Sequence, residues 1–489
     1  ESGTTTITSA TITNSTVGSA IHVDADATVI IGGTGTNDKV VIGSASNRVF
    51  SGITSYGQLT INNAEVYTSQ DVLKIYGGKT TINNGTFNSY TNNVSTSVIS
   101  TLNATVVINN GTFGIGSSSD ANRKGRAFTF RNSTVDIYGG SFETCYDAFV
   151  ENSSVLNIHA GTIVGNLAIN NATINILGNA TLSKILFGDR AGIVNIGSDF
   201  TLTTHIQIGP GSTTANEQII NVNKTLTKTY TLVIYTSSTA DYNAKYINTT
   251  NAVVTYASGV TPNANNFAIT STSAISGGTA KAVKLMTGSV LRTNLGNNDY
   301  STQGLYLVGK VTVSFNAVGG TASKASMEVY YGNAYGTLAT ATKSGFDFAG
   351  WYLESTYATV VNSTSIVKSS TDHTLYAKWE EKFGITVNVN FDSGCDTNTK
   401  VVVRIYDLTN KTVRSFIFYN DGSTHKLDLV GFSAGSYMIS ITTMSRHKAY
   451  IGSEREVGHQ LAELNGSNTS IVWNVNIEKT TTGGFVGSN

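Results

Sequence analysis

The sequence predicts an all-β chain: a parallel β-helix, then a small β module, then a C-terminal β-sandwich. Three observations lead there. Composition comes first: the 489 residues include 49 Gly, 23 Tyr and only 2 Pro, and 13% are charged, about half the usual share. Thr, Val, Ile and the aromatic residues suit pleated strands, while Gly and Asn suit the turns between them. No long stretch reads as an amphipathic helix rich in Ala, Leu, Glu and Lys. Second, a short pattern recurs through the first half of the chain. Third, the second half breaks into short alternating segments separated by turn residues.

The recurring pattern is an alternating apolar triplet followed by Asn, Gly or another small residue. It reads "LTINNAEV" around Ile61, "TTINNGTF" around Ile82, "VVINNGTF" around Ile108 and "VDIYGGSF" around Ile137. It continues as "LNIHAGTI" around Ile158, "INILGNATL" around Ile176 and "VNIGSDFTL" around Ile196. Successive anchors are 21, 26, 29, 21, 18 and 20 residues apart, the period of a solenoid whose insertions leave as loops. Between anchors runs a second strand in each repeat, as in "RAFTFRNS", "DAFVENSS" and "NLAINNAT". Each ends in residues that tolerate a left-handed corner. A leucine-rich repeat would need Leu at fixed offsets, and a propeller about twice this period. The pattern therefore predicts one coil per repeat with the anchor isoleucines stacked inward. Over roughly residues 12 to 225 it resembles the right-handed parallel β-helix superfamily, and the first domain is set at 1–225.

Residues 226–310 hold strand-like segments such as "YTLVIYT", "AVVTYAS" and "GLYLVGK"; additional coils, a capping subdomain and a separate small unit all fit them. Residues 311–379 contain "VTVSFNAVGGTA", "SGFDFAGWY" and "TLYAKW". In that order they resemble the internalin-type B repeat, also called the Listeria–Bacteroides repeat, although Ala stands where a Pro commonly precedes the Gly-aromatic segment. The resemblance implies a small β-grasp-like module of secreted and surface-anchored proteins. Phe346, Phe348, Trp351, Tyr376 and Trp379 would supply its aromatic core, which makes both tryptophans structural. Residues 380–480 alternate as a β-sandwich would, and 481–489 form a Gly/Thr-rich tail. "LVGFSAGSYMISI" resembles the signature of prealbumin-like and B-type adhesin stalk domains. That resemblance implies a Lys–Asn crosslink in some members; here Asn474 and Asn476 lie on the last strand, but the first strand lacks a Lys.

Charge and motifs exclude several functions. With 31 basic and 31 acidic side chains there is no cationic footprint for nucleic acid, and no apolar run spans a bilayer. Arg123, Lys124, Arg126 and Arg131 read as a solvated basic turn. Cys145 and Cys395 match no metal or redox spacing. His22, Asp24 and Asp26 in "HVDADA" would share one strand face and could present oxygen ligands to a hard cation; an exposed strand face is the simpler reading. Glycoside cleavage needs two carboxylates about 5 to 10 Å apart. Asp136, Glu143, Asp147 and Glu151 are the candidates, but they fall at different coil positions. No nucleophile elbow is present, and His159 and His205 read as locally bonded coil residues. No catalytic, cofactor-binding or metal residue is assigned, and no cofactor is expected. Sequons at Asn84, Asn110, Asn132, Asn152 and Asn171 offer N-glycosylation acceptors, although coil corners demand Asn anyway.

The functional expectation is a secreted structural cell-surface protein that assembles into a filament, sheath or surface layer. The chain begins with Glu, which fits removal of a signal peptide. The expected partners are other copies of the chain, reached through residues 1–13 and 479–489. A monomeric adhesin or carbohydrate-binding protein meeting surface glycans is the alternative, and a β-helix polysaccharide lyase or glycosidase the third reading.

Overall fold

A computed structural model describes residues 3–13, 17–35, 37–115, 125–188, 190–209, 217–234, 245–270, 282–296, 300–444, 446–453 and 458–480. It divides into two units. The first comprises Glu1–Val311, Glu328–Ala334 and Ile366–Thr371; the second comprises Thr312–Met327, Tyr335–Ser365 and Asp372–Asn489.

The first unit is a parallel β-helix. On its first face, strands such as Thr105–Ile108, Thr134–Ile137 and Val155–Ile158 stack in parallel register. The anchors pair as the sequence predicts: Ile61 with Ile82, then Ile108, Ile137, Ile158, Ile176 and Ile196. All seven are 0% exposed. The same row extends back to Ile31 and Ile7 and forward to Val222 and Tyr256. Burying each such side chain stabilises the fold by about 1.5–3 kcal/mol, so this row is a large part of the driving force for stacking.

The coils up to Glu151 have three strands rather than the two read from the sequence; from Val155 on, the last two merge into one long strand, as in Gly161–Asn170 and Ala180–Phe187, and the two-strand reading holds. A short middle strand follows the anchor, for example Thr86–Ser89, Thr112–Ile115 and Ser141–Glu143. It buries Phe87, Phe113 and Phe142, whose rings stack at 4.9 and 4.7 Å. With one or two inward residues per coil, this strand is too short to show a period of two. The third face, with strands such as Arg126–Arg131 and Ala148–Glu151, is the second strand that the sequence did reveal.

The corners explain the small residues. Gly85, Gly111, Gly140 and Gly161 turn the first face into the second with φ of 150, 134, 98 and 103°. A Cβ at Gly85 would also come 2.6 Å from the Ala64 carbonyl oxygen of the preceding coil, so only Gly fits. At the corner leading back to the first face, Asn103, Asn132, Asn152 and Asn171 take φ of 55, 45, 56 and 50°, the left-handed region that Asn tolerates.

Stacking continues beyond residue 225. Val254–Tyr256 lies parallel on Gln218–Val222, and Tyr230–Ile234 and then Phe267–Thr270 extend the third face. The pairing then changes: Gly304–Asn316 runs antiparallel to Val254–Tyr256 and Val283–Thr287. An eight-residue α-helix, Gly288–Leu295, ends at Gly296 in the left-handed conformation and buries Leu291 beside Tyr306 and Tyr331.

In the second unit, Phe346–Tyr352 pairs antiparallel with His373–Glu381, which in turn lies parallel to Val313–Asn316. The rest is a sandwich of two four-stranded sheets. One is ordered His425–Phe432, Phe383–Phe391, Ser470–Lys479, His447–Ile451. The other is ordered Thr412–Tyr419, Lys400–Asp407, Gly435–Thr443, His459–Leu464. Their inner faces share a core of Ile385, Val387, Val403, Ile405, Ile439 and Trp473. The molecule is nearly all β, as the sequence predicts.

Candidate functional site

Two rows of outward side chains on the first face of the β-helix bond to one another. One position before each anchor, Asn157 donates from Nδ2 to Asp136 Oδ1 at 2.9 Å, and Asn175 to Asn157 at 2.7 Å. Asn195 donates to Asn175 at 2.6 Å, Asn221 to Asn195 at 2.8 Å, and the Thr255 hydroxyl to Asn221. All the carboxamides in this row point the same way, so each bond polarises the next. The Asp136 carboxylate receives the last N–H, as a charge-assisted acceptor should. A shorter row, Asn62, Asn83 and Asn109, is built the same way one position after the anchors. Asn175→Ala would leave Asn157 Oδ1 and Asn195 Nδ2 without their partner. It is expected to cost about 1–2 kcal/mol, read as a lower urea midpoint; an unchanged midpoint would show that the row contributes no stability.

Where the second amide row stops, aromatic rings take over. Tyr138, 49% exposed, stacks on His159 with centroids 4.2 Å apart and planes 9° apart. His159 Nε2 also lies 3.6 Å from Asp136. On the third face Tyr56 stacks on Tyr76 at 5.3 Å, with the His22 ring 5.4 Å from Tyr56.

The four candidate carboxylates do not form a pair across a groove. Asp136 is on the first face, Glu143 on the second and Glu151 on the third, while Asp147 immediately precedes the strand that carries Glu151. Asp147 accepts from Asn166 at 2.7 Å and Glu151 from Arg131 at 2.6 Å. His205 sits one coil beyond Lys184; burial first, then the Lys184 charge, holds its imidazole below the usual histidine range.

The other candidates are also separated or locally used. His22 Nε2 is 3.3 Å from Asp24, but the strand ends at Val23 and Asp26 lies in the following turn. The shared strand face expected for all three is therefore absent. Among the described residues, no three His, Cys, Asp or Glu side chains converge as a metal site. Arg123 and Lys124 lie outside the described residues. Arg131 is paired with Glu151, and the Arg126 guanidinium lies over Phe149 at 4.5 Å, where burial lowers its pKa. Neither Cys145 nor Cys395 forms a disulfide.

In the second unit, Trp351 is 2% exposed and donates from Nε1 to the Ala339 carbonyl at 2.7 Å. Of the five aromatic residues expected in this core, only Trp351 is fully enclosed: Phe348 is 36% exposed, and Phe346, Tyr376 and Trp379 are half-buried. Tyr376 and Lys378 alternate with the buried Leu375 and Ala377, which places them on the outer side of the strand. Asn474 and Asn476 face Asn388 and Asn390 on the first sandwich strand, at 2.8 and 3.2 Å. That strand offers them amides rather than a lysine amine.

Two surface grooves lie among the described residues. One, of about 520 Å³, is lined by Phe315, Asn316, Thr321 and Lys324. The other, of about 330 Å³, lies at the coil corner of Ser153, Asn171 and Ile193. Neither lining includes a carboxylate, imidazole or thiol.

Residues 312–378 match the Listeria–Bacteroides repeat domain, and residues 384–450 match a secretion-system C-terminal sorting domain. The protein is secreted and belongs to the cell surface. The first match agrees with the resemblance carried by "SGFDFAGWY" and "LYAKW". The second gives the sandwich an affiliation that the sequence reading missed, since "GSYMISI" pointed there to a prealbumin-like stalk. Both matched families are non-enzymatic. No curated protein matches the chain. Two solved structures of a bacterial adhesin from Mobiluncus mulieris, containing intramolecular disulfide, isopeptide and ester bond cross-links, are similar at 12% identity. They cover 41% and 40% of this chain and 83% of their own, with a TM-score of 0.17, too low to establish a common fold. No helix among the described residues is long and apolar enough to cross a membrane.

Proposed function

We propose that the protein is a structural component of the cell surface, a β-helical scaffold that assembles with copies of itself. The observation that carries this reading is the fate of the outward polar rows. Coil after coil, the amides of Asn157, Asn175, Asn195 and Asn221 bond to one another. Such rows reinforce the stack and leave few groups converging on a small ligand. We take the coils to run on past residue 225 into the segment that ends near residue 310, and the following modules to end near residues 379 and 480, the last being the sorting domain with stalk-like character. Imaging of the purified full-length chain tests the proposal: ordered polymers or sheets support it, and dispersed monomers at high concentration overturn it.

A second reading, a surface adhesin that meets glycans, is favoured by the exposed rings of Tyr56, Tyr138 and Tyr146. Stacking along the coils turns the rings of Tyr56 and Tyr138 against their neighbours, which leaves less ring face for a sugar than isolated aromatics would offer. Binding to a glycan array that is lost in Tyr138→Ala would favour this reading.

A further inference from the structure

Two strands of the sorting-domain sandwich stand at sheet edges. The edge strands Thr412–Tyr419 and His425–Phe432 are consecutive in the chain and lie in opposite sheets. Among the described residues each pairs on one side only, with Lys400–Asp407 and Phe383–Phe391 respectively. Exposed edges in soluble proteins are usually guarded by Pro, bulges or inward charge. Thr412–Tyr419 contains no Pro and one charge, and it pairs with its neighbour in unbroken register. Its outer side carries Val413, Ile417 and Tyr419 at 53, 52 and 50% exposure, and its inner side Phe416 and Phe418 together with the strand's one charge, Arg414, whose guanidinium lies 4.7 Å from the Phe432 ring centroid. The inward residues of both edges (Phe416, Phe418, Leu427, Leu429) are only partly buried against the core, so this flank of the core is open.

We propose that this flank is the interface of a two-fold symmetric dimer, in which both sheets continue into the partner copy. The proposal rests on the assembly reading above and names its contact. In an antiparallel pair, residues directly opposite share a face, so a two-fold beside Leu427 sets Lys426 of each copy against Asp428 of the other. Both are exposed and already sit together, with Nζ to Oδ2 at 2.9 Å. Opposite charges at facing positions stabilise such pairing, and an isologous contact makes the pair twice. The same axis suits the other sheet. The chain turns at Asn420–Thr424, and the rings of Phe418 and His425 lie 5.7 Å apart across the sandwich. Two residues further along each strand, Phe416 therefore stands opposite Leu427. A two-fold beside Phe416 sets Val413 against Tyr419 and Ser415 against Ile417 on the outer face, with Phe416 against its own copy inside. Backbone pairing along two edges supplies affinity, and the Lys–Asp exchange fixes register.

The test is a charge swap in the full-length chain, followed by sedimentation. Wild type should dimerise, more weakly as salt rises. Lys426→Asp and Asp428→Lys each place four like charges at the contact and should dimerise at least about tenfold more weakly. An equimolar mixture of the two variants restores opposite pairs and should recover the dimer. A wild-type monomer at all concentrations, variants that dimerise as tightly as wild type, or a mixture that stays monomeric would each overturn the proposal. Polymers seen without this dimer would leave the assembly reading standing and remove this flank from it; a dimer without polymers would do the reverse.

Discussion

Ile158→Asp is expected to unfold the β-helix or leave it open to protease, at a cost above about 4 kcal/mol. Ile158 is 0% exposed and lies between Ile137 and Ile176 in the anchor row. A carboxylate there would lose its hydration with no donor in an interior row made of aliphatic side chains. The damage should spread, because each coil of a solenoid is stabilised mainly by its immediate neighbours. Thr134→Asp is the control, since Thr134 is exposed and points outward from a strand of the same face. It should change stability by no more than about 0.5 kcal/mol. Urea unfolding and limited proteolysis of the two variants decide the matter. Equal midpoints would mean that the inward register is wrong.

That register was legible because a long, repeated signal specified it. Seven isoleucines at near-constant spacing, each flanked by alternating residues, admit few arrangements other than a stack. The left-handed corners were legible for a related reason: only a few residue types occupy that backbone region, and apart from Ser153 the β-helix corners fill it with Asn or Gly. The separate middle strand of the coils up to Glu151 was not, because a segment as short as Ser141–Glu143 buries a single aromatic residue and shows no periodicity of its own. The same economy explains the sequons. Asn132, Asn152 and Asn171 serve the corner, and the Ser or Thr two residues later belongs to the next strand or its approach. Topology that returns to an earlier strand was harder still to read. The candidate carboxylates looked close along the chain between residues 136 and 151, yet one coil wraps three faces in that span. Nor could alternation alone disclose which sandwich strands are edges, since that depends on pairings separated by tens of residues.

Trp351→Ala is expected to cost about 3–5 kcal/mol and to loosen the Listeria–Bacteroides repeat locally. The indole is the largest of the fully enclosed side chains, with Phe315 at 4.8 Å and Phe348 at 5.4 Å, both edge-on. Removing it opens a cavity beside rings that are held by the flanking strands and cannot readily collapse into the space. It also leaves the Ala339 carbonyl without its donor, an added cost of about 1–3 kcal/mol if water cannot reach that oxygen. Trp351→Phe separates the two contributions, because it keeps much of the ring volume and loses only the N–H; it should fall between wild type and Ala. Trp379→Ala should be milder than Trp351→Ala. Trp379 is half-buried, so less apolar area returns to water, although its own bond to the Ala317 carbonyl at 2.8 Å is lost. Amide hydrogen exchange in the strands Phe346–Tyr352 and His373–Glu381, read in the full-length chain, should rise most in Trp351→Ala and less in Trp351→Phe and Trp379→Ala. Equal protection in all three variants would deny Trp351 its structural role. A well-protected Trp351→Ala variant that had lost affinity for a glycan would instead make the indole part of a binding surface, and the adhesin reading would then replace the scaffold.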